Sequence, residues 1–206
     1  MNSKITKERF LKNASVIVAH PDDETLWAGG IILMHPEIQW TILTLCRMSD
    51  TDRAPKFHKA MNRLGATGIM GDLDDGPEQI PLDCHEVQCV ITELLPSNNF
   101  DIIITHGHRG EYTRHRRHEE VGKTVITLWE NEKLFSKEMW RFAYEDGDGK
   151  YLPKAVKDAD LKIRLPNEIW HKKYDIITKI YGFGPDSFEA KTTPRKEAFW
   201  CFESNK

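Results

Sequence analysis

Near the start of the sequence, a histidine, a proline and three acidic residues directly follow an apolar run. Residues 15–19 (SVIVA) predict a buried strand, and the next five residues read HPDDE. A helix N-terminus accounts for Pro21 and for one or two of the acids, because negative charge complements the helix dipole. It accounts for neither His20 nor three acids crowded at the carboxyl end of a strand, where open α/β sheets bind ligands.

A metal site explains this segment better. His20 and Asp23 are three residues apart, so a turn that begins at Pro21 can point both side chains at one ion. Imidazole and carboxylate together suit Zn²⁺, provided that a third protein ligand and an open position complete the site. Asp22 would then lie beside the ion, where its carboxylate can accept a proton from bound water.

A second segment rich in histidine follows another apolar run, residues 101–105 (DIIIT), and reads HGHRGEYTRHRRH. It holds four of the nine histidines of the chain. His115 and His118 have i, i+3 spacing at the start of a helix predicted over residues 116–131, so they share one helical face. One of them can bind a metal while the other faces a substrate. Arg114 and the neighbouring arginines fit either a solvated basic loop or the binding of one substrate phosphate.

The elements that must position these segments are strands that alternate with helices. The predicted strands are residues 15–19, 40–45, 67–70, 101–105 and 139–144, and the predicted helices are residues 25–34, 55–64, 83–95 and 116–131. Continuous apolar strands separated by helices predict an α/β fold with a mostly parallel sheet covered on both faces. In the common doubly wound order 3-2-1-4-5, the first and fourth strands are neighbours, and a crevice opens between their carboxyl ends. Both histidine-containing segments would meet there.

The composition limits the function classes. The chain has 206 residues, of which 39% are hydrophobic and 30% charged, which excludes disordered, collagen-like and membrane classes. A net charge of −3 argues against a nucleic-acid binder, and no apolar run approaches the length of a transmembrane segment. The charged start lacks the apolar part of a signal peptide, and the four cysteines show no CxxC spacing. We therefore expect reduced thiols and a cytoplasmic protein.

We expect a single domain over residues 1–206, with its core at about 14–145 and a C-terminal helix and tail over 146–206. The helix is predicted over residues 166–181, and the tail after it has no readable pattern. The expected partner is a small molecule. A homo-oligomer is compatible with the sequence, which does not fix the oligomeric state.

The segments AHPDDETLWAGG and THGHRGEYTRHRRHEE resemble the motifs of the PIG-L/LmbE-like zinc-dependent N-acetylglucosaminyl deacetylases, the second in its GEY…H..H variant. The resemblance covers residues 15–131, with weaker similarity in LPNEIWHKKYDIITKIYGF. It implies a Rossmann-like three-layer fold. It also implies a zinc hydrolase that removes an N-acetyl group from an N-acetylglucosamine-type amino sugar or glycoconjugate.

The resemblance also implies roles for individual residues. The implied zinc ligands are His20, Asp23 and His118. Asp22 corresponds to the general base, and His115 to the group that stabilises the oxyanion, in its protonated form, or protonates the leaving amine. Arg53 stands where the family often has an arginine that contacts the substrate. The family often has a glutamate two residues later, where this chain has Pro55. The two residues between Tyr112 and the first histidine, where many members have one, leave a catalytic role of that tyrosine open.

Several interpretations stay open. The same site could deacylate a different N-acyl small molecule, or the chain could be a non-catalytic metal-binding module, and the metal could be iron instead of zinc. A dinucleotide enzyme is disfavoured because no GxGxxG follows the first strand. Glu24 is expected to order its loop through hydrogen bonds, and His106 either supports the ligands or lies in a loop. Residues 72–76 predict a solvated turn, with contacts to sugar hydroxyls as the alternative.

Overall fold

A seven-stranded sheet lies at the centre of the computed structural model, which describes residues 11–112 and 114–204. The first ten residues, on which most of the expectation about a signal peptide rests, lie outside this part of the chain. The strands are β1 (Asn13–Val18), β2 (Gln39–Cys46), β3 (Thr67–Leu73), β4 (Asn99–Thr105), β5 (Phe135–Phe142), β6 (Tyr144–Glu145), β7 (Lys154–Ala155), β8 (Leu161–Arg164) and β9 (Lys196–Glu203). The helices are α1 (Asp23–Met34), α2 (Arg53–Leu64), α3 (Cys84–Leu94), α4 (Arg116–Glu130), α5 (Asn167–Asp175) and α6 (Phe188–Thr192).

The order of the large sheet is β3-β2-β1-β4-β5-β9-β8, and its first five strands are parallel. The predicted order 3-2-1-4-5 and the α/β class are therefore confirmed. Strand β1 lies between β2 and β4, with Ala14 opposite both Trp40 and Ile102. All of its residues after Asn13 are buried. A continuous apolar sequence is what a parallel strand covered on both faces requires.

Helices cover both faces of the sheet, which gives three layers. Residues of α1 and α2 pack into one hydrophobic cluster with Ile176 and Ile177, and residues of α3 and α4 pack into a second cluster on the other face. In the described part of the chain, no helix has both the length and the apolar character needed to cross a membrane.

The C-terminal segment contains strands that the sequence pattern does not predict. Strand β9 pairs antiparallel with β5, β8 pairs antiparallel with β9, and β6 and β7 form a separate two-stranded sheet. The helix predicted over residues 166–181 is present as α5, followed by a π-helical stretch over Ile176–Ile180. The C-terminal segment thus extends the sheet that carries the candidate site.

A buried ion pair fastens this segment to α1. Lys173 Nζ lies 2.6 Å from Glu197 Oε1, and both side chains have zero exposure. The carboxylate of Glu197 also accepts hydrogen bonds from the backbone N–H groups of Gly30 at 2.6 Å and Ile31 at 2.8 Å. A Cβ atom at Gly30 would lie only 2.8 Å from Glu197 Oε1, so this close approach requires glycine.

Candidate metal centre

The turn between β1 and α1 holds one of the predicted site residues, Asp22, in a strained backbone conformation. Asp22 has φ 115° and ψ −29°, a backbone conformation that costs a non-glycine residue roughly 1–3 kcal/mol. Glu24 stabilises it, because its Oε2 accepts a hydrogen bond from the backbone N–H of Asp22 at 2.9 Å. Glu24 Oε1 accepts hydrogen bonds from Thr25 Oγ1 at 2.6 Å and from Tyr181 Oη at 2.7 Å. The expectation that Glu24 orders this loop agrees with these contacts.

The three expected metal ligands converge on one point. His20 Nδ1, Asp23 Oδ2 and His118 Nε2 lie 3.2 Å from one another in all three pairs. Ligands at about 2.0 Å from a tetrahedral Zn²⁺ are separated by roughly 3.3 Å, so the spacing fits such an ion. The chemistry fits too, since two imidazoles and one carboxylate form a common zinc ligand set.

The hydrogen bonds of His118 strengthen this fit. Its Nδ1 lies 2.8 Å from Glu111 Oε2 and donates to it, so in the neutral ring Nε2 presents a lone pair. That lone pair faces both His20 Nδ1 and the Asp23 carboxylate, so it is placed to accept a proton from His20 or to bind a cation. Burial acts to lower the pKa of His118, but Asp23 raises it above its ordinary value. Burial acts to raise the pKa of Asp23, but His118 and further hydrogen bonds hold it well below the usual range.

His106 and Glu111 lie directly behind the ligands. Glu111 Oε2 lies 2.8 Å from His106 Nδ1 as well as from His118 Nδ1, and Oε1 accepts from the backbone N–H of Gly107 at 3.0 Å. Burial acts to raise the pKa of Glu111, but the two imidazoles lower it to about 2. His106 Nε2 lies 3.5 Å from Asp23 Oδ2, yet it accepts the backbone N–H of Ala19 at 3.0 Å. Its lone pair is therefore engaged, and His106 supports the ligands instead of joining them.

His115 precedes α4 and lies against the ligands. Its ring centroid is 4.3 Å from that of His118 and 4.7 Å from that of His20. Burial and the charges of these two histidines lower the pKa of His115 to about 3. Burial and neighbouring positive charge both disfavour the imidazolium form of His115, and its expected role as a protonated group stays a prediction. A neutral ring still carries one N–H that can donate.

A cavity of about 220 Å³ opens over these residues. The residues that line it are His20, Pro21, Asp22, Asp23, Arg47, Arg53, Asp75, Tyr112, His115 and Glu189. It is smaller than the roughly 300–1,000 Å³ of pockets for drug-sized ligands, so it encloses one small chemical group. Arg53 Nη1 lies 3.2 Å from Asp22 Oδ1, and the guanidinium also lies over the ring of Phe183, 4.7 Å from its centroid. Burial and the charge of Asp23 raise the pKa of Asp22 well above its usual value.

The solvated turn expected at residues 72–76 is wrong for Asp75. Its side chain is only 7% exposed, and Oδ1 lies 3.3 Å from His20 Nε2. Arg47 Nε donates to Asp75 Oδ2 at 2.8 Å. Burial acts to raise the pKa of Asp75, but the contact with His20 lowers it below the usual range. Periodicity does not reveal such a residue, because it lies in a loop.

The arginines next to His118 lie outside the cavity. Arg114 is 78% exposed and pairs with Glu119 at 3.1 Å. Arg117 is fully buried, and it donates to the carbonyl oxygens of Asp74 at 2.6 Å and Ile80 at 2.8 Å. A phosphate-binding role is therefore wrong for Arg117, whose donors hold the loop that carries Asp75. The substrate role of Arg114 stays a prediction.

Comparisons with known proteins show similarity in sequence to a curated protein and similarity in fold to several solved structures. No family model matches the chain. A curated relative, uncharacterized protein L374 of Acanthamoeba polyphaga mimivirus, is 22% identical over 129 residues. The match covers 55% of this chain and 56% of the relative, so the chain spans about half the length of the curated relative that it matches.

Solved structures resemble nearly the whole chain. N,N'-diacetylchitobiose deacetylase from Pyrococcus horikoshii aligns with TM-score 0.65 and 13% identity over 98% of this chain and 90% of its own. A deacetylase of the teicoplanin biosynthetic pathway aligns with TM-score 0.65 and 12% identity over 95% and 100%. GalB, the 4-carboxy-2-hydroxymuconate hydratase from Pseudomonas putida KT2440, aligns with TM-score 0.62 and 16% identity over 95% and 98%. The chain has the fold of the PIG-L/LmbE-like proteins, a fold that serves more than one reaction.

Proposed function

We propose that this protein is a zinc-dependent hydrolase that removes an N-acetyl group from an N-acetylglucosamine-type amino sugar or glycoconjugate. The observation that carries the proposal is the mutual 3.2 Å spacing of His20 Nδ1, Asp23 Oδ2 and His118 Nε2 beside the partly buried carboxylate of Asp22. The deacetylases among the similar structures support it. Zinc is proposed from the ligand set, and one similar structure is described as a zinc-inhibited deacetylase, so iron stays an alternative in the metal test.

The proposed chemistry divides among a metal and the residues around it. A divalent ion held by His20, Asp23 and His118 would lower the pKa of bound water to about 7 and polarise the acetyl carbonyl. Asp22 accepts the proton of the attacking water on its carboxylate and delivers it to the leaving nitrogen. Arg53 orients that carboxylate through the contact of Nη1 with Oδ1, and it also contacts the substrate.

His115 is proposed as the hydrogen-bond donor to the oxygen on which negative charge develops. Its ring lies beside the ligands and lines the cavity, and its Nδ1 is buried with no hydrogen-bond partner in residues 11–112 and 114–204. A neutral imidazole with an unused N–H can stabilise an oxyanion without carrying a charge itself.

The remaining assignments are proposals of the same kind. The chain is one domain over residues 1–206, and it acts on a small molecule in the cytoplasm, where its four free cysteines stay reduced. Arg114 binds a phosphate group of the substrate. The Arg114→Ala variant should then lose rate on phosphorylated substrates relative to neutral ones, and an unchanged ratio would remove this role.

The test is amine release by the metal-loaded protein. The purified chain is loaded with Zn²⁺ or Fe²⁺ and incubated with N-acetylglucosamine, chitooligosaccharides and N-acyl compounds that lack a sugar, and the free amine is quantified. We expect release from the acetylated sugars, and none from a His118→Ala variant. Preference for the compounds without a sugar would favour the alternative N-acyl substrate. A fully metal-loaded protein that releases amine from no compound would favour a binding module.

A further inference from the structure

We propose that Glu111 is a positioning residue for the metal centre. Its single carboxylate holds two imidazoles and so joins the two segments that supply the ligands. The inference rests on the metal site of the proposed function, and it concerns a residue that does not face the cavity. Glu111 is 1% exposed. It lies in the connection between β4 and α4, seven residues before His118.

The carboxylate of Glu111 accepts three hydrogen bonds. Its Oε2 accepts from His118 Nδ1 and from His106 Nδ1, each at 2.8 Å, and its Oε1 accepts from the backbone N–H of Gly107 at 3.0 Å. An ionised carboxylate has acceptor sites only. Both Nδ1 atoms must therefore carry their proton, which fixes the tautomer of each neutral ring.

These tautomers leave the Nε2 lone pair of His118 free to bind a metal. With its proton on Nδ1, His118 presents the lone pair of Nε2, and that atom lies 3.2 Å from both His20 Nδ1 and Asp23 Oδ2. A carboxylate behind a histidine ligand makes the ring a better electron-pair donor and fixes its orientation. Glu111 therefore prepares His118 for a metal before any metal arrives.

His106 connects Glu111 to the other segment. His106 with its proton on Nδ1 accepts the backbone N–H of Ala19 at Nε2, at 3.0 Å. Ala19 directly precedes His20 in the turn that carries the other two ligands. A chain of three hydrogen bonds thus links Ala19, His106, Glu111 and His118. Loss of Glu111 would leave two buried Nδ1–H groups without an acceptor and would release both segments from each other.

The first experiment measures the affinity for the metal alone. Zn²⁺ or Co²⁺ is titrated against a chromophoric chelator into the wild type, Glu111→Gln and Glu111→Ala. A supporting carboxylate of this kind changes metal affinity by about 10–100-fold. Gln keeps one oxygen that can accept from the imidazoles, but its NH₂ group then faces the Gly107 N–H, which is also a donor. We therefore expect Glu111→Gln to lose metal affinity by a factor near the lower end of this range. Ala should give a loss near the upper value, with a changed visible spectrum of the Co²⁺ form.

Glu197→Gln is the matched control. Glu197 is also a fully buried carboxylate that accepts two backbone N–H groups and pairs with one cationic side chain, Lys173. Its substitution should lower the thermal unfolding midpoint and leave the metal affinity unchanged. Equal weakening of metal binding by Glu197→Gln and Glu111→Gln would overturn the proposal, as would wild-type affinity in both Glu111 variants.

A measurement on the wild type keeps the inference testable if the Glu111 variants do not fold. Long-range ¹⁵N–¹H spectra of the histidine rings report which nitrogen is protonated. In the zinc-loaded protein we expect His106 and His118 both to be protonated at Nδ1, and a proton on Nε2 of either ring would overturn the proposal. If the wild type binds no metal, the proposed function fails. If it binds metal that is indifferent to Glu111, only this inference fails.

Discussion

Replacement of Asp22 by Asn separates proton transfer from metal binding. Asn has nearly the shape of Asp, tolerates positive φ better than most residues, and keeps an oxygen that can accept from Arg53, which lies 3.2 Å from Asp22 Oδ1. The backbone N–H of Asp22 keeps its partner Glu24. The substitution thus removes the negative charge of the side chain and its ability to accept a proton, and it keeps the shape of the side chain.

The magnitude follows from the role of a general base. A positioned base contributes about 10²–10⁴-fold in rate, so we expect kcat of Asp22→Asn to fall by that factor. Whereas kcat falls, the stability of the folded protein should increase. Burial and the charge of Asp23 raise the pKa of Asp22, and a carboxyl group with a raised folded pKa destabilises the fold at every pH where it is ionised. The neutral amide removes that cost, so the free energy of unfolding should increase at every pH where Asp22 is ionised.

Three measurements check this reasoning on one preparation. They are kcat for amine release, bound metal by elemental analysis, and the urea midpoint of unfolding. Asp52→Asn is the control, because Asp52 is 68% exposed, pairs with Lys56 and does not line the cavity; all three quantities should stay near wild type. A wild-type rate in Asp22→Asn would exclude it as the base, and loss of metal would show that it is a ligand.

Four further variants test other contacts. Arg53→Ala should raise KM by about tenfold or more, since a charged hydrogen bond contributes roughly 1.5–3 kcal/mol, and an unchanged KM in steady-state kinetics would contradict a substrate contact. Asp23→Ala should bind no stoichiometric metal after gel filtration, and full occupancy would refute its role as a ligand. Lys173→Met leaves Glu197 buried without its cation and should lower the free energy of unfolding by about 3–5 kcal/mol in urea; a smaller loss would show that the pair is not needed. In Asp101, burial acts to raise the pKa, but a lysine and two backbone N–H groups lower it, so its carboxylate stabilises the fold above about pH 4. Asp101→Asn should therefore destabilise the protein at pH 7, and the difference from wild type should shrink as the pH falls; a difference that persists at pH 2 would contradict this.

The central sheet was predictable because its signals are local. Each strand from β1 to β5 contains a short apolar run, a helical pattern follows each of the first four, and the handedness and order of such units follow from general rules of chain topology. Those rules placed residues 20–24 and 106–118 at neighbouring strand ends, and the structure has them there.

The C-terminal strands were not predictable in the same way. Strand β9 is an antiparallel neighbour of β5 although 53 residues separate Phe142 from Lys196 in the numbering, with α5 between them. No local sequence pattern predicts which strand such a strand pairs with. The π-helical stretch Ile176–Ile180 was also invisible, because its apolar spacing resembles that of an α-helix. It is followed by Tyr181, whose hydroxyl donates to Glu24 behind the base.

The supporting carboxylates were missed for a different reason. Glu111 and Asp75 lie in loops, where neither periodicity nor a turn signal fixes the direction of a side chain. Glu111 Oε2 lies 2.8 Å from His118 Nδ1, and Asp75 Oδ1 lies 3.3 Å from His20 Nε2. A sequence pattern therefore predicted the candidate ligands, but it did not predict which carboxylates face their rings.

The fold by itself does not assign the reaction. The same fold occurs in deacetylases and in a hydratase, so the sheet and its helices do not select the chemistry. Selection must come from groups that contact the reacting atoms. In this chain the group proposed for that contact is the carboxylate of Asp22, which is held in a strained turn. It lies partly buried beside two other acids, which raises its affinity for a proton. A module that only held a metal would gain nothing from keeping that strain, since the strain lowers stability. The cost of Asp22 is therefore the structural argument for hydrolysis over binding, and it is independent of any resemblance.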